Sequence, residues 1–238
     1  AEWLVAVSQL LVHVPELAEL DIHLLLDGQG GAAVREARAR LSTQQPAGAA
    51  NFSILPYPVE LVETVDWCGQ PLTLRPIRPE DEAQHLAFLE RMDPEDIRLR
   101  IFHSRRSIGH TELARLTQID YARDMALIAA RALPGPGGGE ETLGTVRVTI
   151  DPDNDTAEFG VMVRSDLKGL GLGGRLMRKM IAYLRRRGTR RLVGTVLSEN
   201  TGMLELARAL GFQEQAGDGD DHGVRRIALE LCPSGDPP

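Results

Sequence analysis

Leu172, Leu176, Met177, Met180, Ile181 and Leu184 recur at helical intervals, the spacing that lays apolar side chains along one stripe of an α-helix. Gly188 follows where a C-terminal cap belongs, so the predicted helix ends there. Upstream the period shortens. Leu143 to Ile150 and Ala157 to Val163 alternate over strand lengths, and Asp151-Pro152-Asp153-Asn154-Asp155 between them supplies turn residues, which predicts an antiparallel pair. Leu72 to Ile77 and Met125 to Arg131 are further strands. Arg78-Pro79-Glu80-Asp81-Glu82 puts proline and acids into the first turn of a helix running to about Met92. Pro94-Glu95-Asp96 opens a second helix toward Phe102, and Thr111 to Gln118 makes a third. After the long helix come a strand at Leu192 to Leu197, a short helix capped by Asn200 and stopped by Gly211, and a closing hairpin of Phe212 to Gln215 with Val224 to Leu231.

Near the start, Glu19 to Leu26 and Ala32 to Leu41 flank Asp27-Gly28-Gln29-Gly30-Gly31 and predict a separate β-hairpin. The run STQQPAGAA at residues 42–50 has too little apolar content to pack and reads as a linker. The expected organisation is an N-terminal piece over residues 1–42, a linker over 43–71, one domain over 72–232 and a flexible tail over 233–238. PGPGGG at residues 134–139 reads as a mobile loop.

A chain of 238 residues has room for one large domain, or for one domain and a fragment of another. With 42% hydrophobic and 26% charged residues it lies in the ordinary globular range. No apolar run reaches the roughly 18 to 20 residues of a membrane helix. The balance of 27 basic against 34 acidic residues, net −7, argues against a nucleic-acid partner held by phosphate neutralisation. Eight basic residues nevertheless fall between Arg175 and Arg191; they read as a solvated helix face, or as a surface that meets the phosphates of a small anionic ligand. Cys68 and Cys232 are far apart and without CxxC spacing, which points away from a disulfide framework or structural zinc and toward a reducing, cytoplasmic compartment. The opening residues lack a basic region followed by a clean apolar core and do not begin with Met, so a fragment boundary is expected there and not a targeting signal. His13, His23, His85, His103, His110 and His222 show no ligand spacing, and no metal is expected. Ser104 and Ser165 have no Ser-His-Asp context, which disfavours an acyl-serine mechanism.

The segment Lys168-Gly169-Leu170-Gly171-Leu172-Gly173-Gly174 joins a strand to a helix, so unblocked backbone N–H groups and a helix N-terminus converge where an anion belongs. Gly169, Gly171 and Gly174 also satisfy the G-x-G-x-x-G dinucleotide fingerprint, with Glu199 about where a ribose-binding acid would lie. Against that stand the intervening Arg164 to Leu167, the hairpin origin of the preceding strand and the shortage of following strand–helix units.

The element order together with those glycines resembles the GNAT acyltransferase superfamily, which binds acetyl-CoA and has an α+β fold with a mostly antiparallel mixed sheet flanked by helices. Its pyrophosphate signature falls here on Lys168, Gly171 and Gly173, with Lys168 in place of the usual Gln or Arg. The stretches ILPYPVELVETV, LTLRPIRPEDE, AEFGVMVRSDLKGLGLGGRLM and LSENTGMLELARALGF narrow the resemblance to the GNAT domain of Pat-type protein lysine acetyltransferases, over roughly Phe52 to Leu231. Glu19-Leu20-Asp21-Ile22-His23 resembles the E-L-D-I-N-P run near the end of an ATP-grasp domain, with His23 and Leu24 replacing Asn and Pro, so the first residues read as a structural remnant of such a domain.

The resemblance implies acetyl-CoA as cosubstrate, held by Met162, Val163, Lys168, Gly169, Gly171, Gly173, Gly174 and Asn200. It implies a protein lysine acceptor, for example on an acyl-CoA synthetase, with no nucleic-acid or membrane partner. Acyl transfer needs a neutral nitrogen, yet a lysine of pKa about 10.4 is neutral in only about one molecule in 2,500 at pH 7, a deficit of about 4.6 kcal/mol. A base can relieve part of that deficit. Glu158 shares one face of its strand with Gly160 and Met162, and Pat-type enzymes carry their general-base glutamate in this A-E-F context, so the resemblance assigns the base to Glu158. Many GNAT enzymes place a thiolate-protonating tyrosine where this chain has Ala207. His103 and Tyr121 lie in segments that border the acceptor cleft, with loop or core packing as their expected role. The remaining alternatives are a GNAT acting on a small amine or a protein N-terminus, and a non-catalytic CoA-sensing module.

Overall fold

The computed structural model describes residues 2–14, 16–26, 32–42, 55–101, 109–135, 138–215 and 223–231. They belong to two units, Ala1–Tyr57 and Pro58–Pro238. The first contains helix α1 (Glu2–His13) and an antiparallel hairpin of β1 (Leu17–Leu26) and β2 (Ala32–Leu41). The hairpin follows the expected bounds closely. Helix α1 was not anticipated from the pattern, because EWLVAVSQLLVH is apolar nearly throughout and shows no polar face to set a period.

The second unit carries an eight-stranded sheet in the order β3-β4-β5-β6-β7-β8-β10-β9. Its strands are β3 (Glu63–Trp67), β4 (Gln70–Pro76), β5 (Asp124–Ala132), β6 (Glu140–Ile150), β7 (Thr156–Val163), β8 (Arg191–Leu197), β9 (Gln213–Glu214) and β10 (Val224–Glu230). Its helices are α2 (Glu82–Glu90), α3 (Pro94–Ile101), α4 (His110–Thr117), α5 (Leu172–Arg187) and α6 (Thr201–Ala209). Neighbouring strands run antiparallel except β7 and β8. The α+β class with a mostly antiparallel mixed sheet is therefore observed. The expected linker over 43–71 is corrected at its end: β3 already pairs with β4, from Glu63 opposite Leu74 to Trp67 opposite Gln70. The sheet begins inside it.

The two faces of the sheet carry different work. Gly144 on β6 leaves room for Leu172 and Leu176 of α5, and a β-carbon there would lie 3.1 Å from Leu176. The buried stripe of α5 covers this face with Leu176, Met177, Met180 and Leu184. On the opposite face Met162 of β7 packs against Phe88, Leu89, Met92 and Leu113 from the α2–α4 region. Arg75 is buried on β4 and is bonded by Asp81 at 2.7 Å and Glu140 at 2.6 Å, which together raise its pKa against the desolvation that lowers it. Tyr121 is core: its hydroxyl donates to the Ile77 carbonyl at 2.7 Å.

His85 of α2 is 4% exposed, stands 5.7 Å from the Phe88 ring and leaves its Nδ1 without a partner. Desolvation, with the Arg147 charge adding to it and Asp81 opposing, pushes its pKa down from 6.5 to about 4. Between those values the unfolded chain binds the proton and the folded chain does not, so stability is full above pH 6.5 and falls as pH drops toward 4. The loss from this one group is on the order of 3 kcal/mol. Replacing His85→Leu is expected to flatten the pH dependence of urea unfolding across that window while leaving the acid limb of the carboxylates in place.

Candidate functional site

Strands β7 and β8 pair over only three positions, Thr156 with Arg191, Ala157 with Leu192 and Glu158 with Val193. Beyond Glu158 they part. The Phe159 ring lies across Gly194, where a β-carbon would come within 2.4 Å of it, and packs against Phe212 at 5.2 Å. An aromatic thus occupies the fork, and glycine at 194 is what admits it. Past the fork, Gly160 to Val163 keep their ladder with β6 but have no strand on the other edge. That free edge forms one wall of a cavity of about 610 Å³.

The glycine loop forms a second wall. Gly169 (φ +76°) and Gly171 (φ +79°) hold the left-handed conformation that other residues adopt only with strain, and nothing lies within 4 Å of either missing β-carbon. Gly171 is the N-cap of α5, so the helix's first N–H groups open toward that space. At Gly173 a β-carbon would already touch Val163 and Leu206 at 3.5 Å. The loop is braced from behind: Trp67 Nε1 donates to the Leu170 carbonyl at 3.2 Å, and Arg164 reaches Asp166 at 2.7 Å and Glu141 at 2.8 Å. Lys168 is ion-paired with Asp96 of α3, which also accepts from Ser165 Oγ at 2.6 Å. Asn200 caps α6 by accepting the Met203 N–H at 3.1 Å, which leaves its amide nitrogen as the available donor.

Met162, Val163, Lys168, Gly169, Gly171, Gly173, Gly174 and Asn200, all anticipated, line this one cavity. Glu158 does not. It is an exposed residue at the last paired position, directly below the fork, on the face shared with Gly160 and Met162. The sequence reading missed Asp96, Leu99 and Arg100 of α3, which complete the cavity wall. The Asp96/Arg100 spacing of four sets both on one helix face, but nothing within α3 says what that face meets. Ala207 is buried in α6. His103, Ser104, His222, Cys232 and the acidic loop before β10 lie outside the described residues. Among the described residues no three His, Cys, Asp or Glu side chains converge as metal ligands, and no helix is long and apolar enough to cross a membrane. The dinucleotide alternative lacks its framework, because the glycine loop follows the second strand of an antiparallel hairpin.

Comparison with known proteins gives a consistent answer. The Acetyltransferase (GNAT) family profile matches residues 96–212. An acetyltransferase of Pseudomonas aeruginosa is 32% identical over 170 residues, which span 71% of this chain and 89% of the relative. The GNAT domain of S. lividans PAT is 26% identical with a TM-score of 0.64, covering 73% of this chain and 99% of that domain. YncA of Salmonella typhimurium, solved with its cofactor acetyl-CoA, shares the fold at a TM-score of 0.53 and 22% identity, over 70% of this chain and 98% of its own.

Two glycines of the cavity wall separate backbone strain from backbone entropy. Gly171→Ala forces a β-carbon into φ +79° and is expected to cost about 1 to 2 kcal/mol. Gly202→Ala, in the first turn of α6 with open space around it, is expected to stabilise by about 0.4 to 1 kcal/mol. Denaturant unfolding of the two variants side by side checks the opposite signs.

Proposed function

The chain belongs to the GNAT acetyltransferase family, and on that premise we propose that it moves an acetyl group from acetyl-CoA to the side chain of a protein lysine, with Glu158 as general base. The observation that carries the reading is the fork: an unpaired strand edge and a glycine cradle at a helix N-terminus line one cleft, and a carboxylate stands directly below it at the last paired position. Acetyl-CoA fits the residues present. Gly169, Gly171 and the first turn of α5 offer N–H groups to a pyrophosphate, and the free edge of β7 offers N–H and C=O groups to an extended amide chain. Asn200 and Lys168 stand at the rim as side-chain donors. The cosubstrate supplies an activated thioester carbonyl; the chain's own residues orient the partners and handle the proton.

In this reading the amine enters on the face of the sheet that carries Glu158, Gly160 and Met162. Its nitrogen attacks the thioester carbon, the new C–N bond forms and the C–S bond breaks. Glu158 takes the surplus proton from nitrogen, directly or through one water, and the leaving sulfur is reprotonated from solvent. With Ala207 where a tyrosine acid would stand, departure relies on the low basicity of a thiolate, whose pKa is about 8.5. The lysine acceptor, an acyl-CoA synthetase among the candidates, is supported by the Pat-type sequence resemblance and by the likeness to the S. lividans PAT domain. The N-terminal hairpin is read as the end of an ATP-grasp domain on its Glu19 to His23 run.

Acetyl-CoA is expected to raise the melting temperature by the equivalent of about 2.7 kcal/mol at a hundredfold excess over Kd, and NADH is not. Protection by NADH alone would revive the dinucleotide reading. Glu158→Gln is expected to keep acetyl-CoA binding and to lower turnover by about 100- to 10,000-fold at neutral pH. The deficit should shrink toward pH 10, where hydroxide can take the surplus proton that Glu158 no longer accepts. Rates from pH 6.5 to 10 on an acyl-CoA synthetase, free polyamines and lysine peptides test both base and acceptor; equal turnover of wild type and variant throughout removes Glu158 from the mechanism.

A further inference from the structure

Arg100 occupies an unusual place. It lies on the last turn of α3, yet its guanidinium is pressed onto Gly160 of β7, so closely that a β-carbon at Gly160 would sit 2.0 to 2.2 Å from the guanidinium atoms. Only glycine admits it there. Gly160 is two residues beyond Glu158 on the same strand face, immediately past the fork, and both Arg100 and Gly160 line the cavity. Among the described residues the guanidinium makes no hydrogen bond and no close ion pair.

We propose that Arg100 holds the incoming acceptor amine in its neutral, nucleophilic form by setting a fixed positive charge beside it in the cleft. The inference rests on the amine-acetylating reading above. An arginine is suited to this because it does not give up its own proton under any working condition. A lysine ammonium brought next to an enclosed cation loses its proton more readily than in water, since the charged form is repelled while the neutral form is not.

Among the surrounding charges Glu158 works against that effect and Arg147 works with it. From β7, Glu158 attracts Arg100; from β6, Arg147 stands directly opposite Gly160 and adds a second positive charge. Arg147 is itself engaged by the Leu116 carbonyl at 3.1 Å and by Asp124 of β5 at 3.3 Å. His85 of α2 is held neutral at working pH. The cavity wall from β8 contributes the uncharged Thr195 and Val196; of the acids that line the cavity, Glu199 is held by Arg98 at 2.5 Å and Asp96 by Lys168, while Glu205 is exposed on α6. Desolvation lowers the pKa of Arg100 first, with Glu158 opposing and Arg147 adding to the fall, which marks this spot as one where positive charge is costly. A second cation pays that cost by shedding a proton.

The step stays balanced: the ammonium releases one proton to solvent on entry, the neutral amine attacks, and Glu158 receives the proton displaced as the amide forms. Glu158 and Arg100 therefore act on different protons, one during reaction and one before it.

The test is the pH profile of kcat, which reports groups in the bound complex, against that of kcat/KM, which reports the free amine. With saturating acetyl-CoA and a lysine peptide that wild type acetylates, the wild-type kcat limb should lie at least about one pH unit below the peptide's solution pKa of about 10.4, while kcat/KM keeps the solution value. Arg100→Gln should move the kcat limb up by about one unit, lose about tenfold in kcat at pH 7 and converge with wild type near pH 10. Acetyl-CoA affinity should be unchanged in Arg100→Gln. A uniform loss at every pH or a faster Arg100→Gln enzyme at neutral pH overturns the inference; the latter would make Arg100 a steric plug. Should Arg100→Gln fail to fold, a wild-type kcat limb at the peptide's solution value overturns it alone. Wild type that transfers acetyl to no amine refutes the functional reading itself, a result distinct from any of these.

Discussion

Everything at the candidate site depends on one parting of strands. A sheet normally satisfies both edges of an interior strand, yet β7 loses its β8 partner after Glu158 while keeping β6. The Phe159 ring over Gly194, backed by Phe212, fills the angle with apolar volume and prevents the two strands from zipping further. The backbone groups so released are the ones a ligand must satisfy. The fork also separates two coverings of the sheet, with the glycine loop and α5 on one face and α2 to α4 on the other, and in the proposed reaction the two reactants approach from these two sides.

Helix α3 is the element that ties these faces together. Asp96 grips Lys168 and Ser165 on the loop, Arg98 grips Glu199 after β8, and Arg100 reaches β7 between them. Beside these polar anchors, Ile97 packs the helix against the Phe88, Leu89, Met92 and Leu113 cluster. Its polar anchors define the rim of the cleft.

The sequence was legible where local pattern and tertiary role coincide. The α5 stripe, the β6–β7 hairpin with its Asp151 turn and the Gly188 cap were all read correctly, since the Asp151 carboxylate bonds the N–H groups of Asp155 and Thr156 at 2.8 and 3.0 Å and Gly188 adopts φ +79° as expected. The β3 strand was not expected because ETVDW carries only Val65 and Trp67 as alternating apolar positions, too short a run to set a period. The glycine loop of the cavity wall was legible because glycine spacing carries a backbone geometry. Arg100 was not, because its partner lies sixty residues along the chain and the information is a missing side chain at Gly160 rather than a feature of the α3 segment itself.

The Lys168–Asp96 pair has a consequence for how an anionic ligand meets the protein. In an acidic chain of net charge −7, a lysine already neutralised by a buried carboxylate projects little field into solvent. Capture of a polyphosphate therefore gains little from long-range steering and depends on short-range N–H dipoles of the loop, which salt screens weakly. Ionic strength should accordingly act on encounter at this cleft through the net charge of the chain and not through Lys168.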